Sequence, residues 1–171
     1  MQTIAIVDYG MGNVRSVQKA LEYVAPNDHC ILTSDPQVIK DSDRIVFPGQ
    51  GAMGACMSAL SSNALTDEIK LASRAKPFLG ICLGLQLLFD YSEENDGING
   101  LSIVPGKVLK FRNKDLKIPH IGWNSVKQVG DHPLWYKIDN NCPFYSVHSY
   151  FVDEDDASCV VGTTHYGETF T

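Results

Sequence analysis

Along the first half of the chain, short apolar runs alternate with stretches of helical period. Thr3–Val7 is a continuous apolar run closed by Asp8, which predicts a strand buried on both faces. After a turn at Gly10-Met11-Gly12, the apolar positions Val14, Val17, Leu21 and Val24 recur at three- and four-residue spacing, the stripe of an amphipathic helix. Residues 30–32 predict a second strand. Ser34-Asp35-Pro36 reads as a cap followed by proline in the first turn of a short helix. Residues 44–47 predict a third strand that stops at Pro48-Gly49-Gln50-Gly51. Helical stretches over 52–60 and 65–75 follow, then a strand over 78–81 and a helix over 83–91. Strand and helix in regular alternation imply a parallel sheet with helices on both faces.

The second half changes character. Residues 107–111, 125–129, 144–152 and 158–163 predict strands, separated by turn-rich stretches at 93–100 and 139–143. The acidic run 153–156 reads as a solvated turn. The expected fold class is therefore α/β, a parallel-sheet core with an added β-rich layer, in one domain without an internal boundary.

Composition narrows the function by exclusion. A chain of 171 residues is about one domain long. Its 14 basic and 20 acidic residues leave a net charge of -6, which argues against nucleic acid or an anionic membrane as the main partner. No apolar run approaches the roughly 20 residues that span a bilayer. Met1-Gln2-Thr3 leads straight into a strand without a basic region, so a cytoplasmic protein is expected. The five cysteines, at 30, 56, 82, 142 and 159, form no C-x-x-C pair. That spacing argues against a disulfide framework or a zinc site, and most of them are expected to pack as small hydrophobes. No metal or organic cofactor is implied.

Cys82 stands in a different context. Gly80-Ile81-Cys82-Leu83-Gly84-Leu85-Gln86 follows an apolar strand and opens an apolar helix. A strand that turns into a helix through one residue strains that residue and demands very small neighbours two positions away, the arrangement of a nucleophile elbow with Cys in place of Ser. A thiol at a helix N-terminus meets free amides and the positive end of the dipole, which favour the thiolate. The N–H of Leu83 is placed to hold an oxyanion. Gly-x-Cys-x-Gly alone also suits a packing cysteine at a glycine-rich strand end. Pro48-Gly49-Gln50-Gly51 ends another parallel strand, where ligand crevices form. Its two glycines let the Gly49–Gln50 peptide take either orientation, one of which aims the Gln50 N–H at an oxyanion. Gly10-x-Gly12 invites a dinucleotide-site reading, but Arg15 occupies the third glycine's place, which impairs both helix–strand packing and approach to a pyrophosphate.

Gly80–Gln86 with Pro48–Gly51 resembles the class I, triad-type glutamine amidotransferases. Asp8-Tyr9-Gly10-Met11-Gly12-Asn13, Pro119-His120-Ile121-Gly122-Trp123-Asn124 and Val147-His148-Ser149-Tyr150 narrow the resemblance to the HisH-type amidotransferase subunits of imidazole glycerol phosphate synthase, from residue 3 to the end of the chain. The resemblance implies a flavodoxin-like core and a glutaminase that feeds ammonia to a (β/α)₈-barrel cyclase subunit in a heterodimer, yielding imidazole glycerol phosphate and an aminoimidazole carboxamide ribotide in histidine biosynthesis. It makes Cys82 the nucleophile, with oxyanion amides from Leu83 and, after a peptide flip, Gln50. It assigns substrate glutamine to Gly49, Gly51, Gln86 and Glu94, with backbone help from His148 and Ser149. It turns the stretches around Asn13, Trp123 and Tyr145 towards the partner.

Two departures accompany it. The family's catalytic base and its carboxylate partner lie in a His-Pro-Glu segment near the C-terminus, and no such segment occurs up to Thr171, so the chain is expected to lack its C-terminal end. His148 matches the family's His-Ser-Tyr strand, which is not the base, and His29, His120, His132 and His165 have no nucleophile–base context. Gln50 stands where relatives often carry an apolar residue, although only its backbone N–H is required. Two alternatives stay open: a glutaminase of another class I amidotransferase, and a non-catalytic regulatory subunit that keeps the fold without the triad.

Overall fold

The computed structural model describes residues 1–171, which fall into two compact units, Met1–Val104 and Pro105–Thr171. In the first unit the chain runs β1 (Thr3–Val7), α1 (Val14–Val24), β2 (His29–Thr33), α2 (Pro36–Asp41), β3 (Arg44–Gly49), α3 (Met53–Ser62), α4 (Thr66–Ala75), β4 (Phe78–Cys82), α5 (Leu83–Gln86), β5 (Tyr91–Ser92), a single 3-10 turn (Glu94–Asp96) and β6 (Ile98–Asn99). The four main strands pair in parallel in the order β2-β1-β3-β4. β1 lies inside the sheet, so successive residues feed opposite cores. Ala5 and Val7 join Phe47, Met53, Cys56, Leu60, Ile69 and Leu87 on one face, where α2 to α5 pack. Ile4 and Ile6 join Val46 and Cys30 on the other, under Val17 and Leu21 of α1. Each fully buried Val, Ile, Leu, Phe or Met among these is worth about 1.5–3 kcal/mol over its exposed state. The stripe on α1 is shorter than its spacing predicts, for Val24 is 72% exposed.

Local chemistry sets the helix ends. Asn13 Oδ1 accepts from Ser16 N–H at α1, and Asp35 Oδ1 accepts from Gln37 N–H at α2, with Pro36 at the first helical position. The last carbonyls around α2 are satisfied by Lys76, whose Nζ donates to Ile39 O (3.2 Å), Lys40 O (2.7 Å) and Ser42 O (2.7 Å).

Within the first unit two boundaries differ most from the sequence pattern, and in the second the strand expected over 125–129 begins earlier, at His120. β3 runs on through Pro48 to Gly49, because those residues continue the parallel register, opposite Ile81 and Cys82. The helix expected over 83–91 stops after one turn. Leu88 and Phe89 N–H close onto Leu85 O and Gln86 O, three residues back instead of four, and Leu87 O, which Tyr91 N–H would have used, accepts from Leu101 N–H. The same returning segment gives Ile103 N–H to Leu88 O and Ser102 N–H to Phe89 O, while Leu87, Leu88 and Phe89 are drawn into the core.

The second unit is antiparallel. β7 (Gly106–Lys110) pairs with β10 (Tyr150–Glu154), and β8 (His120–Gln128), β9 (Cys142–His148), β11 (Gly162–His165) and β12 (Thr169–Phe170) stand in the order β12-β11-β8-β9. The strand expected over 144–152 is therefore two strands that break at Ser149 and enter different sheets. The strand expected over 158–163 begins as a 3-10 turn (Ala157–Cys159) capped by Asp156, whose Oδ1 accepts from Ser158 N–H. Phe111, Phe151 and Phe170 form this unit's aromatic core.

Beside that core lies a histidine pair. His148 Nδ1 donates to Tyr150 O (2.9 Å), which leaves its Nε2 to accept from His120 Nδ1 (3.0 Å) when both rings are neutral. His120 is only 4% exposed and stacks on Tyr166 at 3.9 Å between ring centroids. Burial, and for His120 also the neighbouring His148, lowers both pKa values from 6.5. The unfolded chain then binds more protons just below pH 6.5, so this contribution to stability is complete above that pH and is lost as pH falls through the folded values. Each unit of lowering corresponds to about 1.4 kcal/mol. Thermal unfolding from pH 7.5 to 5 should show a steeper loss of Tm in the wild type than in His120→Gln; parallel curves would sink this reading.

No helix is long and apolar enough to cross a membrane.

Candidate active site

Cys82 closes β4 opposite Gly49 of β3 and caps α5, with φ 55° and ψ -119°. An L-residue in such a sparsely populated conformation costs about 1–3 kcal/mol. The chain around it is packed backbone against backbone. A Cβ at Gly80 would lie 2.9–3.0 Å from the backbone of Gly84 and Leu85, and one at Gly84 would overlap the Phe47 carbonyl oxygen. Glycine is required at both positions, as the elbow reading expected. The Cys82 side chain is exposed, whereas Leu83 is buried. Because α5 is a single turn, what it offers an anion is its unsatisfied first amides, the Leu83 N–H among them, and little accumulated dipole.

The strand order reverses direction at β1 and β3, and in open parallel sheets ligands sit at the carboxyl ends of strands beside such a point. The loops there converge. Gly12, at φ 101°, would place a Cβ 3.6 Å from Gln50 N. Gly51 has φ 99°, a conformation that favours glycine. Tyr9 Oη donates to Pro48 O at 3.0 Å, and Cys56 Sγ approaches Gln50 O at 3.6 Å. Glu94 lies on the 3-10 turn, and its Oε2 accepts from Met53 N–H at 2.8 Å, two residues beyond Gly51; Asn95 Oδ1 accepts from Gly54 N–H at 3.2 Å. Glu94 is thus held at the start of α3, whose own N-cap, Ala52, has no side-chain acceptor. Gln86 is the last residue of α5 and half-buried.

The first unit therefore carries Cys82, Leu83, Gly49, Gln50, Gly51, Gln86 and Glu94 on its strand ends and adjoining turns. His29 begins β2, at the amino end of the edge strand, far from the carboxyl end of β4. A strained cysteine flanked by glycines is the geometry of a nucleophile. The family model for glutamine amidotransferase class-I matches residues 5–170 of the chain. The chain belongs to the class-I glutamine amidotransferases.

Among curated proteins, the imidazole glycerol phosphate synthase subunit HisH of Nitrosomonas europaea is 51% identical over 179 residues, covering 100% of this chain and 84% of that protein. The protein of the same name from Aromatoleum aromaticum is 49% identical with the same coverage. Among solved structures, a crystal structure of a glutamine amidotransferase matches with a TM-score of 0.71 at 10% identity, over 96% of this chain and 85% of that one. A glutamine amidotransferase from Thermotoga maritima matches with a TM-score of 0.59 at 17% identity, over 98% of this chain and 72% of that one. These structural likenesses bear on the fold, a flavodoxin-like α/β core with a β-rich layer.

For this class-I amidotransferase the second unit holds the remaining residues that the resemblance singles out. His148 ends β9 with both ring nitrogens committed, to Tyr150 O and to His120, so it has the position of a structural histidine. Ser149 follows at the break between β9 and β10. Trp123 and Tyr145 face each other across β8 and β9, their rings 5.4 Å apart at 72°, and stay 71% and 57% exposed. Asn13, in the first unit, is spent in part on capping α1. Sequence reasoning missed the parts played by Tyr9 and Cys56. Tyr9 was visible only inside its motif, and Cys56 was grouped with packing cysteines. Neither has a local pattern that reveals its partner, 39 residues away for Tyr9 and 6 for Cys56.

Proposed function

We propose that this class-I amidotransferase hydrolyses glutamine to glutamate at Cys82 and delivers the ammonia to a (β/α)₈-barrel cyclase partner for imidazole glycerol phosphate formation in histidine biosynthesis. The observation that carries the reading is the strained, exposed Cys82 set in register with Gly49, beside a peptide flanked by two glycines. The Cys82 thiolate attacks the side-chain carboxamide carbon, an S–C bond forms and the oxygen takes the negative charge. The N–H of Leu83 and that of Gln50, once turned inward, hold this oxyanion. The C–N bond then breaks as the leaving nitrogen gains a proton from a general acid, and ammonia departs. Water adds to the γ-glutamyl thioester, the S–C bond breaks, and glutamate leaves with the thiolate restored.

The backbone at Gly49 and Gly51 lies along the substrate, with only the flexible end of Met11 close on the Gly51 side, Gln86 contributes its amide, and Glu94 meets the substrate ammonium from the start of α3. The family resemblance assigns the backbone at His148 and Ser149 to glutamine as well. A single domain is supported by one family model that spans residues 5–170. Docking of the partner near Trp123 and Tyr145 is supported by the exposed face of β8 and β9, where Ile121 pairs with Val147 and Trp123 with Tyr145, all four exposed; for Asn13 the family resemblance alone makes the assignment. A contiguous apolar patch of this kind marks an interaction surface.

Glutamine labelled with ¹⁵N at the amide tests the assignment. In the complex with its cyclase, the label should enter the imidazole product even against an excess of unlabelled ammonium. Product drawn from the external ammonium pool would contradict delivery by this chain.

A further inference from the structure

We propose that the Tyr9 hydroxyl and the Cys56 thiol are positioning groups that anchor the Pro48 and Gln50 carbonyls, so that the Gly49–Gln50 peptide between them turns about two fixed ends. The proposal rests on the glutaminase reading above and names residues that carry the oxyanion strand without touching substrate.

The geometry is specific. Tyr9 lies just past β1 and is 2% exposed, with its ring packed on Phe47 at 5.6 Å. Its hydroxyl donates to Pro48 O at 3.0 Å, and a Cβ at Gly49 would lie only 2.9 Å from that hydroxyl oxygen, so the phenol sits directly beneath the strand end. Cys56 is fully buried on the first turns of α3, and its thiol reaches Gln50 O at 3.6 Å. Burial raises both pKa values, most strongly that of Tyr9, so phenol and thiol keep their protons and remain donors.

The two carbonyls held are those on either side of the Gly49–Gln50 peptide. Fixing them confines a reorientation to that one peptide and returns the Gln50 N–H to the same place each time. A loose strand would present the amide over a spread of positions, and an oxyanion donor is effective only within a few tenths of an ångström of its target. Gly49 itself cannot drift, because it is wedged against the backbone of Leu83 and Gly84.

The test uses the full-length protein in complex with its cyclase. Tyr9→Phe keeps the ring and removes the donor; Cys56→Ala removes the thiol, and Cys56→Ser restores a donor of similar size. Each is assayed for glutamine hydrolysis and, in parallel, for alkylation of Cys82 by iodoacetamide, followed by peptide mass spectrometry. Alkylation needs an exposed thiolate but no oxyanion amide. The expected result is a kcat reduced at least tenfold in Tyr9→Phe and Cys56→Ala with KM within threefold, alkylation within twofold of wild type, and substantial recovery in Cys56→Ser. Hydrolysis within twofold of wild type in Tyr9→Phe would overturn the proposal. Equal loss of hydrolysis and alkylation would overturn it too, since that is the signature of a disturbed elbow. Cys82→Ala in the same assay separates the two levels: if it retains hydrolysis, the glutaminase reading itself has failed.

Discussion

Replacing Cys82 by alanine is expected to lower glutamine hydrolysis by roughly 10⁴- to 10⁶-fold, the scale on which removal of a covalent nucleophile acts. The substitution should leave the fold intact, because the side chain is exposed and no core contact depends on it. Cys82→Gly makes the prediction sharper. Alanine keeps the Cβ that strains a residue at φ 55°, whereas glycine relieves it. The glycine variant should be as inactive as the alanine variant yet more stable by about 1 kcal/mol, a rise in Tm of about 2–4 °C for a chain of this size. Calorimetry of the two variants side by side gives the answer. Equal stability would mean that the elbow stores no strain, and retained glutaminase activity in either would remove Cys82 as nucleophile.

The second large effect concerns coupling to the partner. If the Gln50 N–H turns towards the oxyanion only when the cyclase is loaded with its own substrate, hydrolysis should be about 100- to 1000-fold faster in the loaded complex than in the free protein, the equivalent of one oxyanion donor or about 2.7–4 kcal/mol. The partner produces this shift only through contacts that differ between the two orientations. The structure decides which glycine tests it. A side chain at Gly49 would press on Gly84 N and the Leu83 carbonyl carbon and so distort the elbow itself. At Gly51 an added Cβ meets only the flexible end of Met11, at 3.3 Å, and the penalty comes from φ 99° alone. Gly51→Ala should therefore flatten the ratio of loaded to free turnover by tenfold or more while Cys82 stays reactive. Equal turnover of the wild-type protein alone and in the loaded complex would sink the switch and leave the nucleophile untouched.

The parallel core was legible because its signals are local. Ile4–Val7 is apolar throughout since both faces of β1 are covered, and Ser34-Asp35-Pro36 carries its own capping chemistry. The elbow was legible for the same reason: two glycines at fixed spacing around Cys82 meet a steric demand that arises within a single short segment. The helix over 83–91 was overestimated because its apolar residues suit either a helix or a buried turn. It tightens to three-residue spacing at Leu88 and Phe89, and Leu87 O accepts from Leu101 N–H, a partner that no window around residue 87 contains. The strand over 144–152 failed similarly, divided at Ser149 between two sheets by pairings made elsewhere in the chain.

The order of elements, the need for glycine at 80 and 84, and the strained elbow at Cys82 all follow from the amino-acid order. Each is a matter of short-range sterics and burial. Folding had to be complete before Glu94 was fixed at the head of α3, His148 was occupied by His120 and Tyr150, and Tyr9 and Cys56 braced the loop ending β3. These are hydrogen bonds whose partners are mostly brought together by the packing of strands and helices distant in the chain. A side chain's role in such a bond depends on what arrives opposite it, and that is settled only when the core closes.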